Sequence, residues 1–376
     1  MTYEDATSRC WLEVDLDAIR ANYRSALEMM QPGSRLIPVL KANAYGMNAV
    51  VVAETLKQEG ATLFAVASSD EAEQLINAVP GVEVLPMGLV GEGALRRLIE
   101  RHMPLTLFSM SQGERIERIA AELGIPARVH FKVDTGLHRI GLEPDEAVAQ
   151  IAAFCKSGHI LPCGLFTHLA IHTPETDRIQ VDHLTRIRDE LNAMGISIPL
   201  THAVDSIGMV RYPKDHLDGA RVGAWLYGVC PRNAPVACLS PARFKARISQ
   251  IRAVKKGELI GYDDDYPLEK DSIVATLSAG YVDGTPRMGD NWQVEVRGKR
   301  ADVLGIACMD QMMIDVSDIP EAREGDEVIF VGGIIGINEY ADKCHLNRNE
   351  AWARIGRRVP RIFFEEGRPV RICAEV

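Results

Sequence analysis

The sequence lacks an excess of basic residues and lacks long apolar runs. Its 42 Lys and Arg residues are outnumbered by 52 Asp and Glu residues, which gives a formal net charge of −10. Proteins that bind nucleic acids or anionic membranes usually present a basic face, so we expect neither partner. The longest apolar stretches, such as residues 328–337, are far shorter than the ~20 residues that cross a bilayer. The first ten residues carry acids and have no apolar core, so we expect no signal peptide and a cytoplasmic protein.

Metal-binding motifs are also scarce. The eight cysteines, at positions 10, 155, 163, 230, 238, 308, 344 and 373, are dispersed and form no CxxC pair. This pattern is typical of reduced thiols rather than of disulfides or a metal cluster. His168 and His172 have the four-residue spacing that ligates zinc from one face of a helix, but Pro174 follows closely and no HExxH motif is present. We therefore expect no bound metal.

The chain has an ordinary globular composition, arranged in a regular alternation. Hydrophobic residues make up 47% and charged residues 25% of its 376 residues, and a chain of this length usually forms two domains. Up to residue 223, apolar β-branched runs alternate with longer amphipathic segments, which predicts parallel strands joined by helices. Eight such units favour a closed (β/α)₈ barrel of the TIM type over an open doubly wound sheet. The predicted strands are 36–40, 63–67, 82–86, 105–109, 128–133, 161–168, 197–203 and 219–223.

After about residue 235 the alternation stops. Short β-rich runs separated by Gly, Pro and Asp turns predict a mostly-β domain with a final helix over 347–356. We therefore predict a barrel domain over residues 1–240 and a β-rich domain over residues 241–376. The strand-like run at residues 10–15 precedes the barrel, and we expect it to cross over and pair with the β domain.

The polar residues that follow the predicted strands are candidates for chemistry, because the active site of such a barrel lies at the carboxyl ends of its strands. Lys41 follows four apolar residues, and an apolar environment lowers the pKa of a lysine as Schiff-base chemistry requires. Arg221 lies within an apolar strand, where an arginine has to be paired or functional. Gly223 has no side chain and lets a ligand approach the backbone. Further candidates are Asp134, Arg139, His168, Asp205 and Ser206.

Six motifs, in order along the chain, resemble those of the alanine racemase family, whose members bind pyridoxal 5′-phosphate (PLP) and have a barrel followed by a β domain. WLEVDLDAI, which begins at Trp11, resembles the family's opening strand and helix. VLKANAYG at 39–46 resembles its cofactor-lysine motif. The other four motifs are KVDTGLHRIG at 132–141, DGARVG at 218–223, GYVDG at 280–284 and CMDQ at 308–311. The resemblance extends through nearly the whole chain.

The resemblance implies a PLP-dependent isomerase that interconverts L- and D-alanine, in a homodimer with shared active sites. Lys41 would bind PLP as a Schiff base and serve as one proton-transfer base. Tyr281, supplied by the partner subunit, would be the second base, on the opposite face of the α-carbon. Arg139 and Met309 would contact the substrate carboxylate. Lys132, a position that is often carbamylated in the family, would then hold Arg139 in place.

The same resemblance implies the remaining cofactor contacts. Arg221 would face the pyridine nitrogen, with His168 beside the ring and in support of Arg221. Because an arginine keeps its proton, it would leave that nitrogen unprotonated and keep the reaction at the α-carbon. Taken singly, several of these residues are also typical of structural roles, and it is the joint pattern that favours function. The phosphate-binding positions correspond to Tyr45, Ser206, Gly223 and Ala224.

Three places depart from the family pattern. Met47 and Asn48 replace a His-Gly pair, and residues 261–266 replace a Tyr-Gly turn. In the C-terminal motif, Arg357 aligns with a tyrosine that closes over the phosphate. We expect Arg357 to pair with the phosphate, which suits a guanidinium, and to change the volume and polarity of the pocket. A racemase that prefers serine or another small amino acid is therefore an alternative to a strict alanine racemase.

Two other functions are less favoured. A PLP-dependent amino-acid decarboxylase of the same plan would be expected to carry a glycine run for the phosphate and an acidic partner for the ring nitrogen, and neither is evident. A non-catalytic PLP-binding protein would consist of a barrel alone, whereas this chain adds a β domain with Tyr281 and Met309. D-alanine biosynthesis for the cell wall, use of alanine as a carbon source and a specialised pathway all fit the same sequence.

Overall fold

The structure, a computed structural model, describes residues 1–231, 234–262, 266–288 and 291–374. Residues 263–265, which belong to the departure from the family pattern at 261–266, lie outside this part. The N-terminal half begins with β1 (Cys10–Asp15) and continues with parallel strands whose residues are mostly buried. These strands are β2 (Arg35–Pro38), β3 (Leu63–Val66), β4 (Glu83–Pro86), β5 (Leu105–Leu107), β6 (Ala127–Lys132), β7 (Ile160–Phe166), β8 (Thr201–His202) and β9 (Gly219–Val222).

The parallel strands pair in two groups. β2, β9, β8, β7, β6 and β5 are hydrogen-bonded in that order, and β3 pairs with β4. A parallel bridge between Val39 and Ala65 joins the ends of β2 and β3. Because parallel strands with helices between them are covered on their faces, they read as continuous apolar runs, which is the pattern of this half of the chain.

The helices that separate these strands begin and end at recognisable capping residues. Ser68 accepts a hydrogen bond from the N–H of Glu71, and the Glu71 carboxylate accepts one from the N–H of Ser68, which forms a capping box. Gly124, with φ +66°, ends another helix in the left-handed conformation. The described helices are Tyr3–Ala6, Leu16–Met29, Ala49–Gln58, Ser69–Ala78, Glu92–Glu100, Met110–Leu123, Pro144–Lys156, Pro174–Ala193, Ser206–Arg211, Ile337–Lys343 and Arg348–Ala353, with 3₁₀ turns at Ala224–Tyr227 and Tyr281–Asp283.

The C-terminal part is mostly β. Its strands are β10 (Ala242–Val254), β11 (Ser272–Leu277), β12 (Gln293–Val296), β13 (Lys299–Leu304), β14 (Met312–Asp315), β15 (Glu327–Val331), β16 (Arg361–Glu365) and β17 (Arg368–Cys373). Among the described residues, one sheet has the order β11-β14-β13-β12-β15-β10-β1-β16-β17. β1 lies between two strands of this part, since Leu12 is opposite Phe244 in an antiparallel register and opposite Arg361 in a parallel one.

One apolar core extends through both parts of the chain and contains residues such as Val39 and Phe244. Buried polar contacts fix the two parts to each other. The Tyr227 hydroxyl donates to the carbonyl of Val39, and Nε1 of Trp352 donates to the carbonyl of Tyr227 at 3.1 Å. The Arg348–Ala353 helix is thereby held against the carboxyl end of β2.

No helix in the described ranges combines the length and the apolar character that a bilayer crossing requires. His168 and His172 lie in the loop between β7 and the Pro174–Ala193 helix. Their four-residue spacing therefore does not place them on one face of a helix.

Candidate active site

A cavity of about 320 Å³ opens at the carboxyl ends of the parallel strands. Its wall includes groups that the sequence places at the ends of β2, β6, β7 and β9. Most of the predicted site residues meet there, namely Lys41, Tyr45, Lys132, Arg139, His168, Ser206, Arg221, Gly223 and Ala224.

Lys41 is followed by an unusual left-handed turn. Residues 42–45 all have φ between +53° and +55°, although none is glycine. Each such residue costs about 1–2 kcal/mol, so the surroundings have to hold the turn. Glu71 accepts a 2.6 Å hydrogen bond from the N–H of Ala42, and the Asn43 side chain accepts one from Ala49. The start of the turn is therefore anchored immediately beside Lys41.

Arg221 is buried and hydrogen-bonded to five acceptors. Its guanidinium donates to Nδ1 of His202 at 2.7 Å and to Nδ1 of His168 at 3.2 Å. It also donates to the carbonyls of Thr167, His202 and Ala203. Burial lowers the pKa of Arg221 to about 10, which leaves the group charged at neutral pH. Since these five acceptors are neutral, none of them cancels the charge of Arg221.

His130 extends this network from His202 away from the cavity. His202 accepts from Arg221 at Nδ1, so its proton lies on Nε2 and is donated to Nδ1 of His130 at 3.2 Å. Gly164 makes room for this contact, because a Cβ there would lie 2.3 Å from Nδ1 of His130. Burial lowers the pKa of His130 to about 3, and the ring is neutral at pH 7.

Two lysines and an arginine add positive charge to the cavity. Burial, together with the charge of Arg221, lowers the pKa of Lys132 to about 8. Nζ of Lys132 donates to the carbonyl of Ile140 at 2.8 Å. Lys41 lies at the open mouth, where burial of its side chain and the charge of Arg139 lower its pKa. Both lysines are therefore easier to deprotonate than a lysine in water.

A tyrosine and a bare backbone form one wall. The Tyr45 ring stacks on Tyr227 with centroids 4.5 Å apart. A Cβ on Gly223 would lie 2.6 Å from Oη of Tyr45, so only glycine allows this approach. Oγ of Ser206 accepts from the N–H groups of Gly223 and Trp225 at 3.1 and 3.3 Å. Burial raises the pKa of Tyr45 to about 12, so its hydroxyl keeps its proton and can donate it in a hydrogen bond.

Three predicted residues are not part of this wall. Tyr281 and Met309 lie in the C-terminal part, where Met309 is 53% exposed. Arg357 lines a different cavity of about 620 Å³, together with Glu71 and the outer side of the left-handed turn. Arg357 follows the end of the Arg348–Ala353 helix, beyond the segment that reaches the first cavity.

Asn349 is a polar wall residue that the sequence patterns did not identify. It belongs to the first turn of the Arg348–Ala353 helix and lines the cavity with Tyr45 and Gly223. Its Oδ1 is buried and has no hydrogen-bond partner in the described part of the chain. Asn349 lies far along the sequence from every parallel strand, so no strand-end pattern indicated it. Asp205, a strand-end candidate, also lines the cavity and caps the Ser206–Arg211 helix.

Comparison with known proteins assigns the family. The family model "Alanine racemase, N-terminal domain" matches residues 14–231, and "Alanine racemase, C-terminal domain" matches residues 242–363. An alanine racemase of Desulfovibrio desulfuricans is 35% identical, over 94% of this chain and 98% of that protein. A structure of alanine racemase from Clostridium difficile 630 covers 98% of this chain and 99% of that chain, with a TM-score of 0.93 and 30% identity. A Bartonella henselae alanine racemase structure, with covalently bound pyridoxal phosphate, has a TM-score of 0.84 and 24% identity and covers 95% of this chain and 100% of that chain. The chain belongs to the alanine racemase family.

Proposed function

We propose that this protein is an alanine racemase, an isomerase that interconverts L- and D-alanine. The observation that carries the proposal is that Lys41 and Arg221 line one cavity at the carboxyl ends of parallel strands. Membership of the family supports the same reaction. The cofactor of that family is PLP, and the cavity volume lies within the range of small-molecule sites, about 300–1,000 Å³.

The charge of the cavity fits PLP and an amino-acid substrate. Lys41, Arg139 and Arg221 supply positive charge, against the single wall carboxylate of Asp205 among the described residues. Guanidinium and ammonium groups suit a phosphate and a carboxylate. When bound, PLP supplies the electron sink that makes the α-hydrogen of an amino acid acidic. Lys41 is the residue that would bind it covalently, since its pKa is already lowered.

The wall around Gly223 fits the phosphate. The absence of a Cβ leaves the backbone bare, and Oη of Tyr45 comes within the space that a side chain would fill. The Tyr45 hydroxyl is a proton donor, and the hydroxyl of Ser206 lies on the same wall. We infer that Tyr45, Ser206 and the backbone of Gly223 and Ala224 hold the phosphate. Asn349 lines the same cavity, whereas Arg357 lines a different one.

Racemisation removes the α-hydrogen from one face of the substrate and returns a proton to the other, which calls for two bases. Nζ of Lys41 would exchange the proton on the D face, since burial and Arg139 lower its pKa. Oη of Tyr281 of the partner subunit would exchange the proton on the L face. Arg221 keeps its own protons at neutral pH and would therefore supply none to the pyridine nitrogen of bound PLP.

Arg139 and Met309 are proposed to hold the substrate carboxylate, with Met309 supplied by the partner subunit. Nζ of Lys132 is bonded to the carbonyl of Ile140, the residue after Arg139. Because burial lowers the pKa of Lys132 to about 8, part of its population is neutral at pH 7. A neutral amine can add to carbon dioxide and lose a proton to give a carbamate. We infer this modification, whose negative charge would pair with Arg139.

A homodimer with shared sites is proposed because Tyr281 and Met309 lie outside the cavity of their own chain. The parallel strands are proposed to close into a (β/α)₈ barrel. Strand pairing and the Val39–Ala65 bridge join all but one pair of neighbours, and β4 and β5, which lie in contact without regular pairing, would complete the ring. Residues 1–240 and 241–376 are proposed as the two domains. The eight free cysteines suit the reducing cytoplasm.

The test is α-hydrogen exchange. The purified protein is incubated with PLP and L-alanine in D₂O, and deuterium at the α-carbon and the D enantiomer are followed. We expect both to appear. Bound PLP with neither exchange nor D-alanine would overturn the proposal. L-serine is run in parallel, and faster turnover of serine would keep the reaction and replace the substrate.

A further inference from the structure

A fully buried carboxylate lies two residues after Tyr281. Asp283 is 0% exposed and accepts hydrogen bonds from the guanidinium groups of Arg9 and Arg358 and from the N–H of Gly280. Nε of Arg358 is 2.8 Å from Oδ1 of Asp283, and its second nitrogen is 3.2 Å from Oδ2. Burial alone would raise the pKa of Asp283, but hydrogen bonds from the two arginines lower it overall. The carboxylate is therefore charged. Its hydrogen bonds hold the turn that carries Tyr281 in place.

Arg358 also contacts the loop that carries Met309. Nη2 of Arg358 donates to Oδ1 of Asp310 at 2.5 Å. The two loops are in direct backbone contact as well, since Tyr281 donates to the carbonyl of Cys308 at 3.0 Å. Arg358 is thus a bridge between the residues that follow Tyr281 and the residue that follows Met309.

The backbones of these segments lie in close contact, with no space for a side chain at two glycines between them. A Cβ on Gly280 would lie 2.4 Å from the carbonyl oxygen of Cys308. A Cβ on Gly356, two residues before Arg358, would lie 2.3 Å from the carbonyl oxygen of Val282. The four charged groups, Arg9, Asp283, Arg358 and Asp310, balance each other, so the network is neutral as a whole. Removing Arg358 would leave the buried Asp283 carboxylate with Arg9 as its one remaining charged partner among the described residues.

We propose that Arg358 is a positioning residue, which through Asp283 and Asp310 holds Tyr281 and Met309 in one fixed arrangement for the active site of the partner subunit. The inference rests on the proposed function, in which Tyr281 of the partner subunit exchanges the proton of L-alanine. Arg358 itself touches neither substrate nor cofactor. Its planar guanidinium bonds the two carboxylates in fixed directions, whereas a lysine ammonium is a point charge on a flexible stem and does not fix that geometry.

The experiment compares Arg358→Lys and Asp310→Asn with the wild type in D₂O. Arg358→Lys keeps the charge and loses the two-pronged geometry, while Asp310→Asn removes only the contact to the Met309 loop. We expect exchange of L-alanine to fall on the order of 100-fold in Arg358→Lys, because a base displaced by about 1 Å loses that much. Exchange of D-alanine, which depends on Lys41, should be retained. An equal fall for both enantiomers would overturn the positioning role.

Backbone hydrogen exchange gives a readout that does not depend on activity. In both variants we expect faster exchange in the peptides that contain residues 279–284 and 307–311, changed together. Unchanged protection in either peptide would overturn the bridge. Arg297→Lys is the matched control, since Arg297 makes a comparable two-pronged pair with Asp326, at 2.6 and 2.7 Å.

Tyr281→Phe separates the bridge from the proposed function. If Tyr281→Phe selectively loses exchange of L-alanine, we expect the same selective loss in Arg358→Lys. Absence of that loss in Arg358→Lys would refute the positioning role of Arg358. If Tyr281→Phe exchanges both enantiomers normally, the two-base assignment fails. In that case the protection of the two peptides alone decides whether Arg358 joins the loops.

Discussion

Arg221 donates a 2.7 Å hydrogen bond to Nδ1 of His202, and this single contact fixes the proton positions of the network behind the cavity. With Nδ1 occupied as an acceptor, His202 carries its proton on Nε2 and donates it to His130. Both histidines must stay neutral, because a second positive charge would lie beside the buried guanidinium. The network therefore holds Arg221 without cancelling its charge.

Neutral buried histidines make the stability depend on pH. Burial lowers the pKa of His130 to about 3 and lowers that of His202 well below its ordinary value. Between pH ~6.5 and ~3 the unfolded chain binds protons that the folded chain does not, so stability falls as the pH falls. Each histidine contributes at most about 1.4 kcal/mol per pH unit in this window.

Urea unfolding of the wild type at pH 7.5, 6.5 and 5.5 measures this slope. We expect these two histidines to leave the free energy of unfolding unchanged above pH ~6.5 and to lower it as the pH falls below that value. His130→Asn should reduce the slope, because one of the two buried sites no longer titrates. His102→Asn is the control, since His102 is exposed. A slope that His130→Asn leaves at the wild-type value would contradict the prediction.

Gly223→Ala should weaken binding of PLP. The added Cβ would lie 2.6 Å from Oη of Tyr45, whose ring cannot easily move because it is stacked on Tyr227. We expect the Kd for PLP to rise on the order of tenfold, which corresponds to about 1.4 kcal/mol. Equilibrium dialysis of the apoprotein measures it. Gly93→Ala, in an open part of the Glu92–Glu100 helix, should leave PLP binding unchanged and slightly stabilise the fold.

Asn349, and not Arg357, should set the substrate preference of the cavity. Asn349 lines it and has an unbonded Oδ1, whereas Arg357 lines a separate cavity. We expect Asn349→Leu to lower kcat/KM for serine relative to alanine by roughly tenfold, because a polar partner for the substrate hydroxyl is lost. Arg357→Ala should leave the ratio unchanged. The reverse result, with Arg357 controlling the ratio, would restore the assignment made from the sequence alignment.

Local patterns predicted much of the fold from the sequence. The predicted strand at 128–133 corresponds to β6, and the predicted final helix at 347–356 contains the Arg348–Ala353 helix. The predicted strand at 197–203 is far shorter, with only Thr201–His202 in regular pairing, because Ser197–Leu200 connects the preceding helix to it in an irregular loop. β17 was not predicted, since Arg368–Cys373 is largely exposed and has a proline as its second residue.

Site residues were predictable where they follow a strand and unpredictable where a distant segment supplies them. Lys41 and Arg221 are marked by polar groups within apolar strand patterns. Asn349 is brought to the cavity by the packing of Trp352 against Tyr227, a contact over more than a hundred positions that no local pattern encodes. An alignment of one motif placed Arg357 there instead, because it could not show which turn of the chain faces the cavity.

The shared active site can be tested by complementation. Lys41→Ala and Tyr281→Phe each remove one proposed base, so each pure variant should be inactive in racemisation. If Tyr281 serves the cavity of the partner subunit, a mixed dimer contains one site with both bases intact and one site with neither.

Random reassembly of equal amounts makes about half of the dimers mixed, and one of the two sites in each is intact, so about a quarter of the wild-type activity should return. If both bases came from one chain, every site in every dimer would lack a base and no activity would return. The measurement is D-alanine formation after the two inactive variants are dissociated, mixed and reassembled with PLP. A Lys41→Ala sample treated alone in the same way controls for residual activity. Recovery in the mixture alone is therefore specific to a site built from two chains, since neither variant contains both bases.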